Sequence, residues 1–563
     1  MRKLDKPIRK IPTIRPGFDY ITIPQMVERA CTKFSDYIAY SIVRDNKIYS
    51  LTFGQVYELI KKLARFLKEL GYGKGDHIAI LSENRPEWPI SYFAISWIGG
   101  VVVPLDARLD INAIKFILSF SDTSGIIVSK NFYSDIKDIK DELPKLRNII
   151  LMEDFNDISK KFSSGVNYEN INLDDLLEIL FTSGTTGDPK GVMLTHKNII
   201  SNVCDIYQII DFTPEDRLFS ILPIHHSYEC TVGTITPFSN GASVFYARSL
   251  KPSEMLEDLR IAKPTYWLNV PLILEKLLIR INKQISEQKG VKKIVINLLP
   301  KKILGSQIKK QLGLEKIKYI VSGGAALPRW VSEGLSVYGF PIIQGYGLSE
   351  ASPLVSVNPP SKPKNESVGM VIPSVDVRIV DIDSEGNGEI FVKGPNVMKG
   401  YYKNESATKE VLTIDGWLMT GDIGYFDEEG YLYITGRKKF VIVTKGGKNV
   451  FPEEIEEKLT KSIYIEEALV FSPDDENIQA IIYPNLEEVR IKLEKMGQEF
   501  NDNNVWNLIK YEVEKVNETL EAYKRIRHFA IRYEEFPKTT TRKIKRHLFR
   551  ALKLSNDIKV LKD

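Results

Sequence analysis

The stretch Phe181-Thr182-Ser183-Gly184-Thr185-Thr186-Gly187-Asp188-Pro189-Lys190-Gly191 constrains this chain more than any other. An apolar run, Leu176 to Phe181, feeds it and reads as a buried strand. Val192-Met193-Leu194 leaves it, and Thr195-His196-Lys197-Asn198 has the composition of a helix start. Between strand and helix, Gly184 and Gly187 permit close approach of the backbone to a ligand. Successive N–H groups there, beside the hydroxyls of Thr182, Ser183, Thr185 and Thr186, make a nest for an anion. Lys190 adds a mobile positive charge. The combination points to a polyphosphate. It is not a Walker A loop, which requires Lys-Ser/Thr directly after its last glycine; here Asp188-Pro189 intervene and Gly191 follows the lysine.

The strand-helix alternation on either side of the loop has fully apolar strands, such as Ile78 to Leu81 and Val101 to Leu105. That pattern predicts α/β sheets covered on both faces. Thr22 to about Ser41 carries a helical apolar spacing, and Ile48 to Phe53 alternates like a strand. Thr52 reads as the cap of an amphipathic helix that Gly71 ends, and Asn84 reads as the cap of the next one. From Gly388 the pattern shifts to short alternating strands, and residues 455–535 read as helix, strands and a charged amphipathic helix.

Composition narrows the function classes. At 563 residues the chain is too long for one core. Its net charge of +4, from 77 basic and 73 acidic residues, argues against a general nucleic-acid binder. Three widely spaced cysteines fit a reducing compartment with no metal cluster. The basic N-terminus lacks the apolar region of a signal peptide. The most apolar run, Trp88 to Pro104, is shorter than the roughly 20 residues that span a bilayer, so it reads as a buried helix turning into a buried strand. A cytoplasmic protein is expected. The lysine-rich, helical 280–317 region admits contact with an anionic membrane surface.

At 183–191 the chain resembles the adenylate-forming superfamily of acyl-CoA synthetases, luciferases and carrier-protein-loading adenylation domains, whose phosphate loop is Ser-Gly-Thr-Thr-Gly-x-Pro-Lys-Gly. The resemblance runs from about residue 20 to 550, with the motifs in the family's order. It implies a multidomain α/β fold: a large N-terminal domain of doubly covered sheets with a small β-barrel-like subdomain, and a smaller, mobile α+β C-terminal domain. The boundaries it implies are 1–436, a hinge at 437–440, and 441–563.

The resemblance also assigns site residues. It places the phosphates on Thr182, Ser183, Gly184, Thr185, Thr186, Gly187 and Lys190. The Gly324-Ala325 turn contacts adenine. In Gln344-Gly345-Tyr346-Gly347-Leu348-Ser349-Glu350, Tyr346 stacks on the base, Ser349 approaches the phosphate and Glu350 holds Mg²⁺, which needs hard oxygen ligands. Asp422 accepts from both ribose hydroxyls, reinforced by Arg437, with Ile434 and Lys439 alongside. His225 orients the substrate carboxylate. The Gly446-Gly447 hairpin closes on the pantetheine thiol, and Lys543 is the adenylation lysine. Adjacent His225 and His226 with no third ligand nearby do not read as a metal site. Two positions depart from the family pattern: Phe440 stands where Asp or Lys is usual at the pivot, and Arg542 where glycine is usual.

The implied activity is ATP-dependent conversion of a carboxylate to an acyl-adenylate with pyrophosphate release, followed by thioester formation with CoA. Anion attacks anion, so the site must neutralise charge at phosphorus. The 280–317 region resembles the helical insertion carried by long-chain acyl-CoA synthetases, and with the total length that resemblance implies medium- or long-chain fatty acids. An acyl-carrier-protein acceptor is the alternative, as is a catalytically weakened adenylate-binding protein. Nothing in the sequence encodes oxygen chemistry. Family members are often dimers.

Overall fold

A computed structural model describes residues 8–182, 189–288, 299–444, 448–475, 477–538, 544–549, 552–554 and 559–561. Two large mixed sheets organise the N-terminal part. The nine-stranded sheet runs in the order Met370–Val371, Leu354–Val357, Ile342–Gly347, Tyr319–Ser322, Tyr266–Asn269, Arg217–Ser220, Ser243–Tyr246, Ile38–Arg44 and Lys47–Thr52. Its six central strands are parallel and its edges antiparallel. The seven-stranded sheet runs Gly400–Tyr401, Lys190–Thr195, Leu176–Thr182, Val101–Pro104, His77–Leu81, Gly125–Val128 and Asn148–Leu151.

The period-2 geometry of a strand explains how this second sheet is covered twice. Ile78 and Ile80 join the large core shared with the nine-stranded sheet, while Ala79 and Leu81 face a separate apolar layer with Ile114, Ile117 and Ile136. The Trp88–Pro104 run is a helix, Glu87–Trp97, buried at every residue and followed by a buried strand. Among the described residues no helix is long and apolar enough to cross a membrane.

A four-stranded antiparallel sheet follows (Asp376–Val380, Gly388–Lys393, Leu418–Phe426, Leu432–Arg437). Beyond it, a two-stranded hairpin, Ile442–Val443 with Asn449–Val450, precedes a three-stranded sheet of Ile465–Phe471, Gln479–Pro484 and His528–Ile531. The helix Asp502–Glu518 supplies Val505, Ile509 and Val513 to the apolar cluster on one face of that sheet, and Ile481 turns to a smaller cluster on the other.

Local signals carry most of these elements. Thr52 accepts a hydrogen bond from the Gln55 N–H, closing a capping box on helix Phe53–Glu69, and Gly71 at φ +80° terminates it. Thr195 caps His196–Ile209 in the same way through Asn198. Two expectations are corrected. The helical spacing read from Thr22 to Ser41 ends at Lys33; Ile38–Arg44 is a strand, returned into Lys47–Thr52 by Asp45 and Asn46, both at positive φ, the signature of a tight hairpin. Asn84 does not cap a helix. Its amide donates to the Leu222 carbonyl at 2.6 Å and accepts from the Ile224 N–H at 3.1 Å, cross-linking the two large sheets just before His225.

Candidate active site

The loop anticipated as a phosphate cradle closes a β-hairpin. Leu176–Thr182 and Lys190–Thr195 pair antiparallel, with Thr182 opposite Lys190. Ser183, Gly184, Thr185, Thr186 and Gly187 lie outside the described residues, as do Gly446, Gly447 and Lys543. The Lys190 ammonium sits 5.0 Å from the centroid of the Tyr401 ring.

The two glycine turns stand side by side at the carboxyl ends of parallel strands, where open α/β sheets bind ligands. Gly324 adopts φ +79° and Ala325 is exposed. Tyr228 packs its ring beneath this turn, within 3.0 Å of where a Cβ on Gly323 would lie, and donates to the Val321 carbonyl at 3.0 Å. On the neighbouring strand, Gln344 is buried and donates to the Asn365 carbonyl, and Gly345 pairs with Val357. Gly347 passes so close to Pro353 that a Cβ would lie 1.9 Å from its carbonyl oxygen. Ser349 is buried, 3.4 Å from the Ser227 hydroxyl.

Tyr346, Asp422 and Arg437, separated by up to 91 positions in sequence, converge. The Tyr346 hydroxyl donates to Asp422 Oδ2 at 2.6 Å, and Arg437 Nε donates to Oδ1 at 2.8 Å. Asp422 and Arg437 face each other across an antiparallel ladder, which sets this geometry. Burial, and then the adjoining carboxylate, push the Tyr346 hydroxyl well above its usual range, so it remains a donor. Ile434 lies half-buried on the same strand as Arg437, and Lys439 is exposed in the turn that follows. Phe440, at the expected pivot, lies under the Arg546 guanidinium at 5.1 Å, and Arg546 is also paired with Glu456.

Glu350 is half-buried, and its Oε1 accepts from the Tyr401 hydroxyl at 2.8 Å. Among the described residues no group of three or more His, Cys, Asp or Glu side chains could enclose a metal ion. One hard carboxylate oxygen pair suits a magnesium ion held mainly by nucleotide and water oxygens, so Glu350 fits that role.

His225 turns its Nε2 toward Asp106 Oδ2 at 3.4 Å. Burial alone would raise the Asp106 pKa, but hydrogen bonds from His225 and Arg108 overcome it and hold the carboxyl well below its ordinary range. The neighbouring His226 accepts from the Tyr228 N–H through Nδ1.

Sequence reasoning missed Asp106 and Tyr401. Asp106 is 119 positions from His225 and sits in no motif; only the meeting of two sheets joins them. Tyr401 is visible in Gly400-Tyr401-Tyr402, but nothing local shows that its hydroxyl reaches Glu350.

The chain matches the family model described as AMP-binding enzyme over residues 27–402, and that of the AMP-binding enzyme C-terminal domain over 439–556. It is 31% identical to a long-chain-fatty-acid–CoA ligase of Bacillus subtilis, over 81% of this chain and 83% of that one. It is 29% identical to a chloroplastic long-chain-fatty-acid–[acyl-carrier-protein] ligase of Arabidopsis thaliana, over 84% and 77%. Among solved structures, O-succinylbenzoate coenzyme A synthetase (MenE) from Bacillus subtilis in complex with ATP and magnesium ion superposes with a TM-score of 0.73 at 24% identity, covering 93% of this chain and 98% of that one. With the same fold, and with two family models covering most of its length, the chain belongs to the AMP-binding enzyme family of adenylate-forming ligases.

Proposed function

We propose that this protein activates a medium- or long-chain fatty acid with ATP, releasing pyrophosphate, and passes the acyl group from AMP to the thiol of CoA. The observation that carries the nucleotide half is the convergence of Tyr346, Asp422 and Arg437 at the carboxyl edge of the sheet. The 31% identical Bacillus ligase, by its name, supports the acid and the acceptor.

In this reading Asp422 receives the ribose hydroxyls, since a carboxylate accepts through both oxygens. Arg437 keeps it oriented, and the Tyr346 ring lies against the base. A magnesium ion, when bound at Glu350, would draw negative charge away from the α-phosphate. Lys190 and the hairpin loop neutralise the outgoing pyrophosphate. His225, its ring plane fixed by Asp106, orients the incoming carboxylate, and Lys543 bridges it to the α-phosphate. No protein nucleophile is required. Cys31, Cys204 and Cys230 are buried, and burial raises each thiol above its usual range, which suits none of them to attack.

The Arabidopsis relative is named for a carrier-protein acceptor, so that thiol is the second reading. Pyrophosphate release across a series of acid chain lengths, with CoA or acyl carrier protein as acceptor, tests both. A maximum at medium or long chains with acyl-CoA as product supports the proposal. Product only with the carrier protein favours the second reading, and turnover confined to short or aromatic acids overturns the fatty-acid assignment.

A further inference from the structure

Residues 398–402 join two parts of the site that arise on different sheets. The Lys399 N–H donates to the Met193 carbonyl at 3.0 Å and the Tyr402 N–H to the Gly191 carbonyl at 2.7 Å, pinning the segment to the strand that leaves the phosphate loop. The Met398 N–H donates to the Glu350 carbonyl at 2.9 Å, pinning the same segment to the turn after the Ile342–Gly347 strand. Tyr401 lies in the middle, opposite Val192, only 7% exposed, with its own N–H held by the Thr408 hydroxyl at 2.9 Å. Its hydroxyl donates to Glu350 Oε1, and its ring carries the Lys190 ammonium.

We propose that Tyr401 is a positioning residue that holds the Glu350 carboxylate in a fixed plane beside the phosphate loop, pre-setting it for the divalent cation of the nucleotide complex. The proposal rests on the reading of Glu350 as the metal carboxylate. A glutamate carboxylate, carried on about three rotatable bonds, must otherwise be ordered when the ion binds. The Tyr401 hydroxyl engages one oxygen and fixes that rotation in advance. The face of the same ring attracts Lys190, keeping the phosphate-directed cation and the metal carboxylate at a set separation. Outer-shell hydrogen bonds of this kind typically change metal affinity by about 10–100-fold when removed.

The test is Mn²⁺ binding to the full-length protein saturated with a non-hydrolysable ATP analogue, followed by electron paramagnetic resonance, for wild type, Tyr401→Phe and Glu350→Gln. Affinity for the analogue without divalent cation is measured beside it. Phenylalanine keeps the ring and removes one oxygen. The expected result is Mn²⁺ binding weakened about 10-fold or more in Tyr401→Phe, with metal-free nucleotide affinity and the thermal midpoint unchanged. Unchanged Mn²⁺ affinity in Tyr401→Phe alongside weakened binding in Glu350→Gln overturns the proposal and leaves the metal assignment standing. Equal losses with and without metal assign Tyr401 to packing and also overturn it. Unchanged Mn²⁺ affinity in Glu350→Gln removes the metal assignment itself, and the role of Tyr401 with it.

Discussion

Replacing Glu229 with glutamine should change how stability depends on pH. Glu229 is fully buried, one residue beyond the Tyr228 that underlies the Gly323-Gly324 turn. Neither of its oxygens accepts a hydrogen bond of ordinary length, and Ser220 is near enough to offset only a little of the burial. The titratable groups around it, Tyr228, Tyr246 and Cys230, are themselves pushed up by burial and neutral at ordinary pH. Burial raises Glu229 to about 8. Its carboxyl therefore keeps its proton in the folded protein while the unfolded chain, titrating at about 4.3, gives it up. The folded state binds more protons between these values, so stability is lost as pH rises. Below the unfolded value the group has no effect. Between pH 5 and 8, on the order of 3–4 kcal/mol is lost from this one group at 1.36 kcal/mol per unit. Glutamine has the same shape and no charge, and removes that slope. The assay is the thermal or urea midpoint of wild type and Glu229→Gln at intervals from pH 5 to 8. The variant should be close to wild type at pH 5 and pull ahead steadily above it. A wild-type–variant difference that stays constant across the range would refute the reasoning, because the group would then be ionised throughout or hydrogen-bonded.

Two further outcomes follow from the site. Asp422→Asn should weaken ATP and AMP binding by about 10–100-fold, the equivalent of losing a hydrogen bond to a charged group, as read by calorimetry, and should also lower the thermal midpoint, since the amide cannot accept from both Tyr346 and Arg437; unchanged affinity in the folded variant would remove Asp422 from the nucleotide site. Gly347→Ala should lower soluble yield or the thermal midpoint sharply, since the added carbon would meet the Pro353 carbonyl backbone and not a movable side chain; a stable Gly347→Ala protein would contradict that close approach.

The sequence carries the fold at two levels with different success. Caps and terminators are local chemistry, so Thr52, Gly71 and Thr195 mark real helix ends. Period alone misled at Ile38–Arg44, where five consecutive buried residues suit a strand covered on both faces as well as one side of a helix. At the site, the glycine turns and Asp422 are legible because each sits in a contiguous motif. The partners that tune them are not. Asn84 meets Leu222, Asp106 meets His225 and Tyr401 meets Glu350 across sheet-to-sheet contacts that no local pattern encodes. The anion nest expected at 183–187, the Gly446-Gly447 hairpin and Lys543 lie outside the described residues, so the roles of those positions rest on the motifs.

The central claim, that this chain forms an acyl-adenylate, is tested most directly by fatty-acid-dependent exchange of labelled pyrophosphate into ATP, without any thiol acceptor, for wild type and Lys543→Ala. Exchange that requires the acid and falls by about 10²–10³ in the variant, with ATP binding retained, is the expected result. ATP binding without exchange for any carboxylic acid, or exchange that Lys543→Ala leaves intact, would contradict it.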